Sequence, residues 1–496
     1  MNDPTEYQLD PTARVRAVKN TLMLMVLRLV VPMLSLALVF TLSRMLGAEG
    51  LGRYTLAFSF LTLYSALGPL GLNAVITRDG ARDPSVLAPM LQNAMTLGAV
   101  TSGVLMVGMV ALGVVLDYDA NTRTALAILS LAIFPSTLGV FLDGAAVALE
   151  RMQILAVATL AEYFVKVVVA VALLFLGFGL DAVLITAVVG RALGCVIAAR
   201  LLKQHAGISV RFALDPVMLR RLVALAPTFL FTAVFSLLYW RIDVFMLSKL
   251  RPIEDVGYYG AAYRLFEFAM VFPQSLCLSL YPQIASAAQS DAARLRRIGA
   301  AASRYLILIG LPAAVCTTIL AEPILRLLYG NAFNAAANTL SVLIWTIIPY
   351  SFVRYHAYVL VAGHRQRIDL LLNVIMSVFN VLLNLALIPR YNHLGAAAAT
   401  LVSLCILALL QYRYLHRYLP GHAAPVVLPL RTLAATVLAA GCAWLLRDLY
   451  VLIPVALAAT VYLATLFFSG FFTSEEIGFL RLDRLLEAGV PRGRHR

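Results

Sequence analysis

Six basic side chains, Arg28, Lys166, Arg191, Arg241, Arg264 and Arg354, and three acidic ones, Glu162, Asp243 and Glu267, sit inside long apolar stretches of this sequence. On insertion scales a mid-bilayer charge costs about 2.5–3.5 kcal/mol, so six cations facing lipid would cost on the order of 15–20 kcal/mol. They must face a protein interior, a partner or water. Mutual pairing is one reading: Glu162 with Lys166 four residues on, Arg264 with Glu267 three on, and Arg241 with Asp243 across neighbouring backbones. Arg28, Arg191 and Arg354 have no acidic residue within a helical turn, and six cations against three anions leave an interior charge of +3. A cavity that stays positive in a low dielectric suits an anion, and arginine, with its rigid donor fork, suits phosphate. Arg28 carries this reading furthest, because Pro32 four residues later frees backbone groups and bends a helix toward a lumen. Arg191 and Arg354 can also be read as snorkelling from near helix ends.

Other chemistry has little support. Asp117 and Asp119, in DYD, have the spacing of a metal and nucleotide-sugar motif, but their loop is only a few residues long and a surface turn is the simpler reading. GFGLDA at 177–182 lacks the third glycine of a dinucleotide fingerprint, and no GxxxxGK loop is present to bind a nucleotide as driver. The seven histidines show no paired-ligand spacing, and His356 reads as a packing or interfacial residue. Cys195, Cys277, Cys316, Cys405 and Cys442 all lie in apolar runs without CxxC spacing and read as packing residues. No cofactor, metal or enzymatic activity is expected.

The elements that hold these charges must be membrane helices. Of 496 residues 61% are hydrophobic and 13% charged, with a mean hydropathy of +0.88, far outside soluble globular usage. A helix needs roughly 20 apolar residues to cross a bilayer. Fourteen runs qualify, near 22–46, 52–77, 87–116, 124–149, 154–178, 181–201, 218–248, 256–287, 300–321, 337–361, 369–388, 394–415, 427–446 and 449–472. They are rich in Leu, Ala and Val, unlike the shorter alternating segments of a β-barrel. A net charge of +14 would suggest nucleic acid in a soluble protein; here the basic residues fall mainly in short gaps between runs, and no nucleic-acid partner is expected. With both termini cytoplasmic, 25 Lys or Arg face that side and 8 the other, which fits the positive-inside rule. The first run is long and follows a polar tail, so no cleavable signal is expected.

Every loop is short, which leaves no room for a soluble catalytic domain. One repeat register is visible. Arg151 and Leu180 are separated by 29 residues, as are Arg365 and Leu394, at an offset of 214; GRY at 52–54 matches GYY at 257–259 at an offset of 205. The stretch near 322–333 has no equally long partner in the first half, which accounts for the difference. Six spans per repeat keep both halves in the same orientation. The expectation is an all-α polytopic membrane protein with a six-helix lobe over 1–203, a second over 204–420, two added spans over 421–472 and a basic tail over 473–496. In that tail Thr473 and Glu476 form a capping box before Ile477, Leu480, Leu485 and Leu486, and the segment reads as an interfacial or a solvated helix.

Several segments have a family texture: LGAEGLGRY at 46–54, LGPLGLNAVITRDGA at 67–81, LERMQ at 149–153, RIDVFMLSKL at 241–250, VGYYGAAYRLFE at 256–267, LYPQIA at 280–285 and LLYGNAF at 327–333. Together they resemble the polysaccharide-transport flippases of the multidrug/oligosaccharidyl-lipid/polysaccharide exporter superfamily, the group that includes the O-antigen flippases. The resemblance covers nearly all of the chain. It implies an inverted V of two six-helix lobes around a cationic cavity that opens alternately to cytoplasm and periplasm in a bacterial inner membrane. The implied cargo is an undecaprenyl-pyrophosphate-linked oligosaccharide repeat unit for exopolysaccharide, capsule or O-antigen, with a polysaccharide polymerase and export machinery as further partners. Its pyrophosphate would meet the arginines. Asn73, Asn93, Asn373, Asn380 and Asn384, with Tyr64, Tyr163, Tyr239 and Tyr263, can face sugar or act as interhelical glue. Three alternatives stand beside this. A cation-driven drug antiporter of the same superfamily would want an unpaired carboxylate, whereas each mid-span acid here has a basic neighbour. A flippase for the peptidoglycan lipid precursor shares the charge logic and the span count. An integral-membrane polymerase or glycosyltransferase rests on DYD alone.

Overall fold

The computed structural model describes the backbone of residues 11–288, 291–418 and 429–471, with their side chains except at 11–22, 24–26, 28–29 and 225–240. No strand occurs among the described residues. In chain order the helices are α1 (Pro11–Leu67), α2 (Leu72–Arg82), α3 (Pro84–Val115), α4 (Ala120–Ser130), α5 (Ile133–Ala148), α6 (Met152–Phe164), α7 (Ala170–Phe175), α8 (Leu180–Ala206) and α9 (Pro216–Leu250). They continue as α10 (Ile253–Ala288), α11 (Ala292–Ile319), α12 (Ala321–Tyr329), α13 (Ala337–Leu343), α14 (Ile347–Ala362), α15 (Gln366–Tyr418), α16 (Leu430–Leu445) and α17 (Leu452–Phe468). A π turn, Val165–Val169, joins α6 to α7.

Local chemistry starts and breaks these helices. Asp83, Asp119, Asp215 and Asp291 cap α3, α4, α9 and α11, each accepting from a backbone N–H in the first turn, and Pro84 and Pro216 occupy first helical positions where a missing N–H costs nothing. Asp119 is therefore structural, and its carboxylate also takes the Thr122 hydroxyl at 2.5 Å and an ion pair from Arg53 at 3.3 Å. DYD is a turn and a cap, and no group of metal-ligating side chains occurs among the described residues. α1 bends at Gly47 (φ 67°) and α15 at Asn392 (φ 54°).

Among the described residues eight stretches are long and apolar enough to cross a bilayer, and α16 and α17 are shorter apolar helices of 16 and 17 residues. The all-α polytopic class is thus present; the count of fourteen remains an expectation. Val100, Val104 and Val107 form an outward stripe on α3, at 63%, 68% and 71% exposure, as a lipid-facing surface would. Contacts divide the chain into two compact units, Met1–Arg264 with Asn384–Ala396, and Leu265–Leu383 with Ala397–Arg496. The first is built on Leu72, Ile76, Leu91, Phe141 and Leu202. The second has one core around Ile284, Leu295, Tyr355 and Leu415 and another where Leu308 of α11 meets Ala439 and Ala458 of α16 and α17. A compact unit is a density of contacts and a repeat is a relation between sequences, so the two divisions need not coincide. The offset of 214 falls on helix starts: Arg151 and Arg365 precede α6 and α15, Leu180 opens α8, and Leu394 follows the bend in α15. The stretch near 322–333 falls on α12 and the 3-10 turn Asn331–Ala336 after it.

Candidate functional site

A cavity of about 220 Å³ lies in the first compact unit, between α1, the end of α6, α9 and the start of α10. Its α1 wall is Ser35 before the bend and, after it, Tyr54, Thr55, Phe58, Ser59 and Thr62, the latter spaced as one face of a helix. Tyr259, Gly260, Tyr263 and Arg264 give α10 the same spacing. The two walls are related residue by residue through the offset of 205: 54 with 259, 55 with 260, 58 with 263, 59 with 264. Tyr163 and Lys166 line another side, Arg241 and Val244 a further one. Lys166, Arg241 and Arg264, three of the six cations marked in the sequence, therefore line one space.

Past the cavity the two walls touch. A Cβ on Gly52 would overlap the Ile253 carbonyl, and a Cβ on Gly257 would overlap the Ala48 carbonyl. Only glycine allows backbones this close. Residues 48 and 253 are themselves 205 apart, so the contact is reciprocal. Beside it the buried Asp243 carboxylate accepts from the Tyr259 hydroxyl at 2.9 Å and from Asn384 Nδ2 at 2.6 Å. The Arg241 guanidinium lies 5.7 Å from the Tyr263 ring centroid, within cation–π range.

Lys166 sits in the π turn, a wide turn that recurs at functional sites in helices. Its Nζ lies 4.4 Å from the Phe58 ring centroid and 5.2 Å from that of Tyr163, and it makes no ion pair among the described residues. The expected pairing of Glu162 with Lys166 is not what forms: Glu162 Oε2 accepts from Arg191 Nη1 at 2.7 Å, and Arg191 Nε donates to Ser136 Oγ at 3.2 Å. Helix packing explains the change. Gly190 lets α8 approach the Glu162 carbonyl and the Lys166 backbone, and Gly194 faces Ala158 and the Glu162 side chain, so Arg191 between them is carried to the carboxylate. Asp143 on α5 lies within electrostatic reach of both Arg191 and Glu162. The sequence reading passed over it, although it interrupts the run 124–149 by the same rule that marked the other charges.

The remaining residues are dispersed. Arg354, on α14 in the second unit, has a buried Nε without a hydrogen-bond partner and a guanidinium 5.4 Å from the Tyr358 ring centroid. Glu267 belongs to the second unit's part of α10 and is partly buried. Arg28 is on α1, but its side chain, like that of Tyr239, lies outside the described residues, as does the tail from 473. Two further asparagines join separate segments, Asn93 accepting the Asp215 N–H and Asn380 donating to Ser403 across the bend in α15, whereas Asn373 donates to Asp369 one turn back in its own helix. His356 is packed among Phe352, Tyr355 and Tyr412, 1% exposed. Beyond the marked charges, the hydroxyl and aromatic stripe on α1 was readable from its helical spacing.

The described residues thus form an all-helical, multi-pass membrane protein with a charged cavity inside its first compact unit. The chain matches the sequence model described as polysaccharide biosynthesis protein over residues 17–288, and that of MatE over 227–386. It belongs to the polysaccharide biosynthesis protein family, within the multidrug/oligosaccharidyl-lipid/polysaccharide exporter superfamily. It is 24% identical over 181 residues to the probable low-salt glycan biosynthesis flippase Agl15 of Haloferax volcanii, and 28% identical over 185 residues to the probable flippase AglR of the same organism. Each match covers 36% of this chain, and the chain spans 38% of the length of each of these relatives. Its fold is similar to that of the lipid II flippase MurJ in an inward closed conformation, with a TM-score of 0.71, 14% identity, 93% of this chain covered and 100% of that one. These proteins are named as flippases.

Proposed function

We propose that this chain is a flippase that moves undecaprenyl-pyrophosphate-linked oligosaccharide repeat units from the cytoplasmic to the periplasmic leaflet of a bacterial inner membrane by alternating access. The observation that carries this reading is the convergence of Lys166, Arg241 and Arg264 on one cavity of aromatic rings and hydroxyls within a membrane-spanning unit. Lys166 has no anion of its own there, which leaves a charge for cargo. Arginine forks fit phosphate oxygens, while tyrosine rings and the hydroxyls of Thr55, Ser59 and Thr62 suit sugar faces. In this proposal Arg28 and Arg354 are further cations on the cargo's path, the lobes at 1–203 and 204–420 are the bodies that rock, and both termini are cytoplasmic. Moving two negative charges outward across an inside-negative potential is favourable by about 4.6 kcal/mol per 100 mV, so the potential alone can bias export. A polymerase and export machinery would then consume the delivered units in exopolysaccharide, capsule or O-antigen synthesis.

Lys166→Ala and Arg264→Ala are expected to abolish delivery while the chemically complete lipid-linked oligosaccharide accumulates on the cytoplasmic side, read by leaflet-specific labelling. Arg264→Lys keeps charge but loses the fork and should retain partial activity, with a tenfold loss for each ~1.4 kcal/mol forgone. Normal transport by both alanine variants would sink the cationic-cavity reading. The MatE match favours one second reading, export of a drug. Deletion would then change drug sensitivity and leave surface polysaccharide intact.

A further inference from the structure

Glu162 and Lys166 are four residues apart, the spacing at which a helical Glu and Lys ordinarily pair. In this protein the carboxylate is turned to another helix, held by Arg191 at 2.7 Å, and the ammonium rests on aromatic faces inside the cavity. We infer that Arg191 is a positioning residue for the transport site: by holding Glu162 it keeps Lys166 unpaired and open to an anionic group of the cargo. The inference rests on the cavity's proposed role and moves Arg191 from cargo contact to support.

The surroundings of Lys166 make the case. Its own helix supplies Glu162 and Tyr163, α1 supplies Phe58, α10 supplies Arg264, and α8 supplies Arg191, behind which lies Asp143 of α5. Arg264 and Arg191 repel the ammonium and the rings hold it weakly. Of these groups Glu162 is the one that can quench it at close range. Arg191 does not line the cavity, and its guanidinium is already committed to Glu162 and Ser136. Its loss would release a carboxylate one helical turn from Lys166.

The chain has four lysines, Lys19, Lys166, Lys203 and Lys249, so Lys19→Arg, Lys203→Arg and Lys249→Arg in the full-length protein isolate the side chain of interest. Reductive methylation with formaldehyde and borohydride at fixed pH, read by mass spectrometry of the peptide holding residue 166, then reports the free amine. Arg191→Met should slow modification roughly threefold or more, because a nearby carboxylate favours the unreactive ammonium. Adding Glu162→Gln should restore the original rate, and Arg191→Lys, which keeps an ion pair, should stay near it. An unchanged rate in Arg191→Met, or a slow rate that Glu162→Gln does not restore, overturns the inference. Should Arg191→Met fail to fold, Glu162→Gln alone decides: Lys166 must react at least as fast as in the parent, and slower reaction counts against. Export recovered in the Arg191→Met, Glu162→Gln double variant supports both levels. If the reactivity pattern holds while Lys166→Ala exports normally, the flippase reading of the cavity fails and the role of Arg191 stands.

Discussion

Asp79 and Glu162 are both largely buried carboxylates held by arginine, the first by two exposed arginines and the second by a part-buried one. Asp79 ends α2, accepting from Arg78 at 2.8 Å and Arg221 of α9 at 3.2 Å. The Arg78 hydrogen bond, reinforced by the neighbouring arginine charges, holds its carboxyl below the usual aspartate range. A folded-state value below the unfolded one means the contribution is fully present at neutral pH and is lost as pH falls through the folded value. The melting temperature of the purified protein should therefore drop on acidification below about pH 4, and Asp79→Asn should flatten that part of the profile. Glu162 is read from sequence differently. Lys166, Arg241 and Arg264 stand out there because a charge in an apolar run needs no further context. The partner of Glu162 does not, since Arg191 lies 29 residues away and the pair is created by how two helices pack.

Between helices the decisive side chains are the smallest. At Gly190 an added Cβ would come 2.7 Å from the Glu162 carbonyl, while at Gly103 on α3 nothing lies within 4 Å. Gly190→Ala should accordingly lower stability by about 1–3 kcal/mol, as overpacking does, and Gly103→Ala should be neutral or raise it by up to about 1 kcal/mol through helix propensity. Thermal melts of the two variants in detergent separate the effects; equal losses would contradict this account of the α6 and α8 contact. The helices themselves were legible because a bilayer makes hydropathy decisive. The π turn was not: VKVVV carries no local mark of it, and it appears where α8 presses against the Lys166 backbone.

At the scale of the whole chain the distribution of basic residues predicts the orientation proposed above, and that prediction can be tested without cargo. On a cysteine-free background, single cysteines at Arg82, Arg211 and Arg296 should react with an impermeant maleimide only from the cytoplasm, and those at Ala120, Pro252 and Asn331 only from outside. All six positions are exposed. A reversed pattern would overturn the charge count behind the proposed direction of transport. The reciprocal contact of Gly52 with residue 253 and Gly257 with residue 48 has a consequence of another kind. Under the proposed six-plus-six repeat this contact maps onto itself when the two halves are exchanged, which makes it isologous, the geometry of a twofold homodimer interface. A half-length ancestor bearing one such glycine would have met its match on a second copy of itself. Gene fusion would then turn a dimer interface into an internal one, leaving each half free to change the residues around a shared axis.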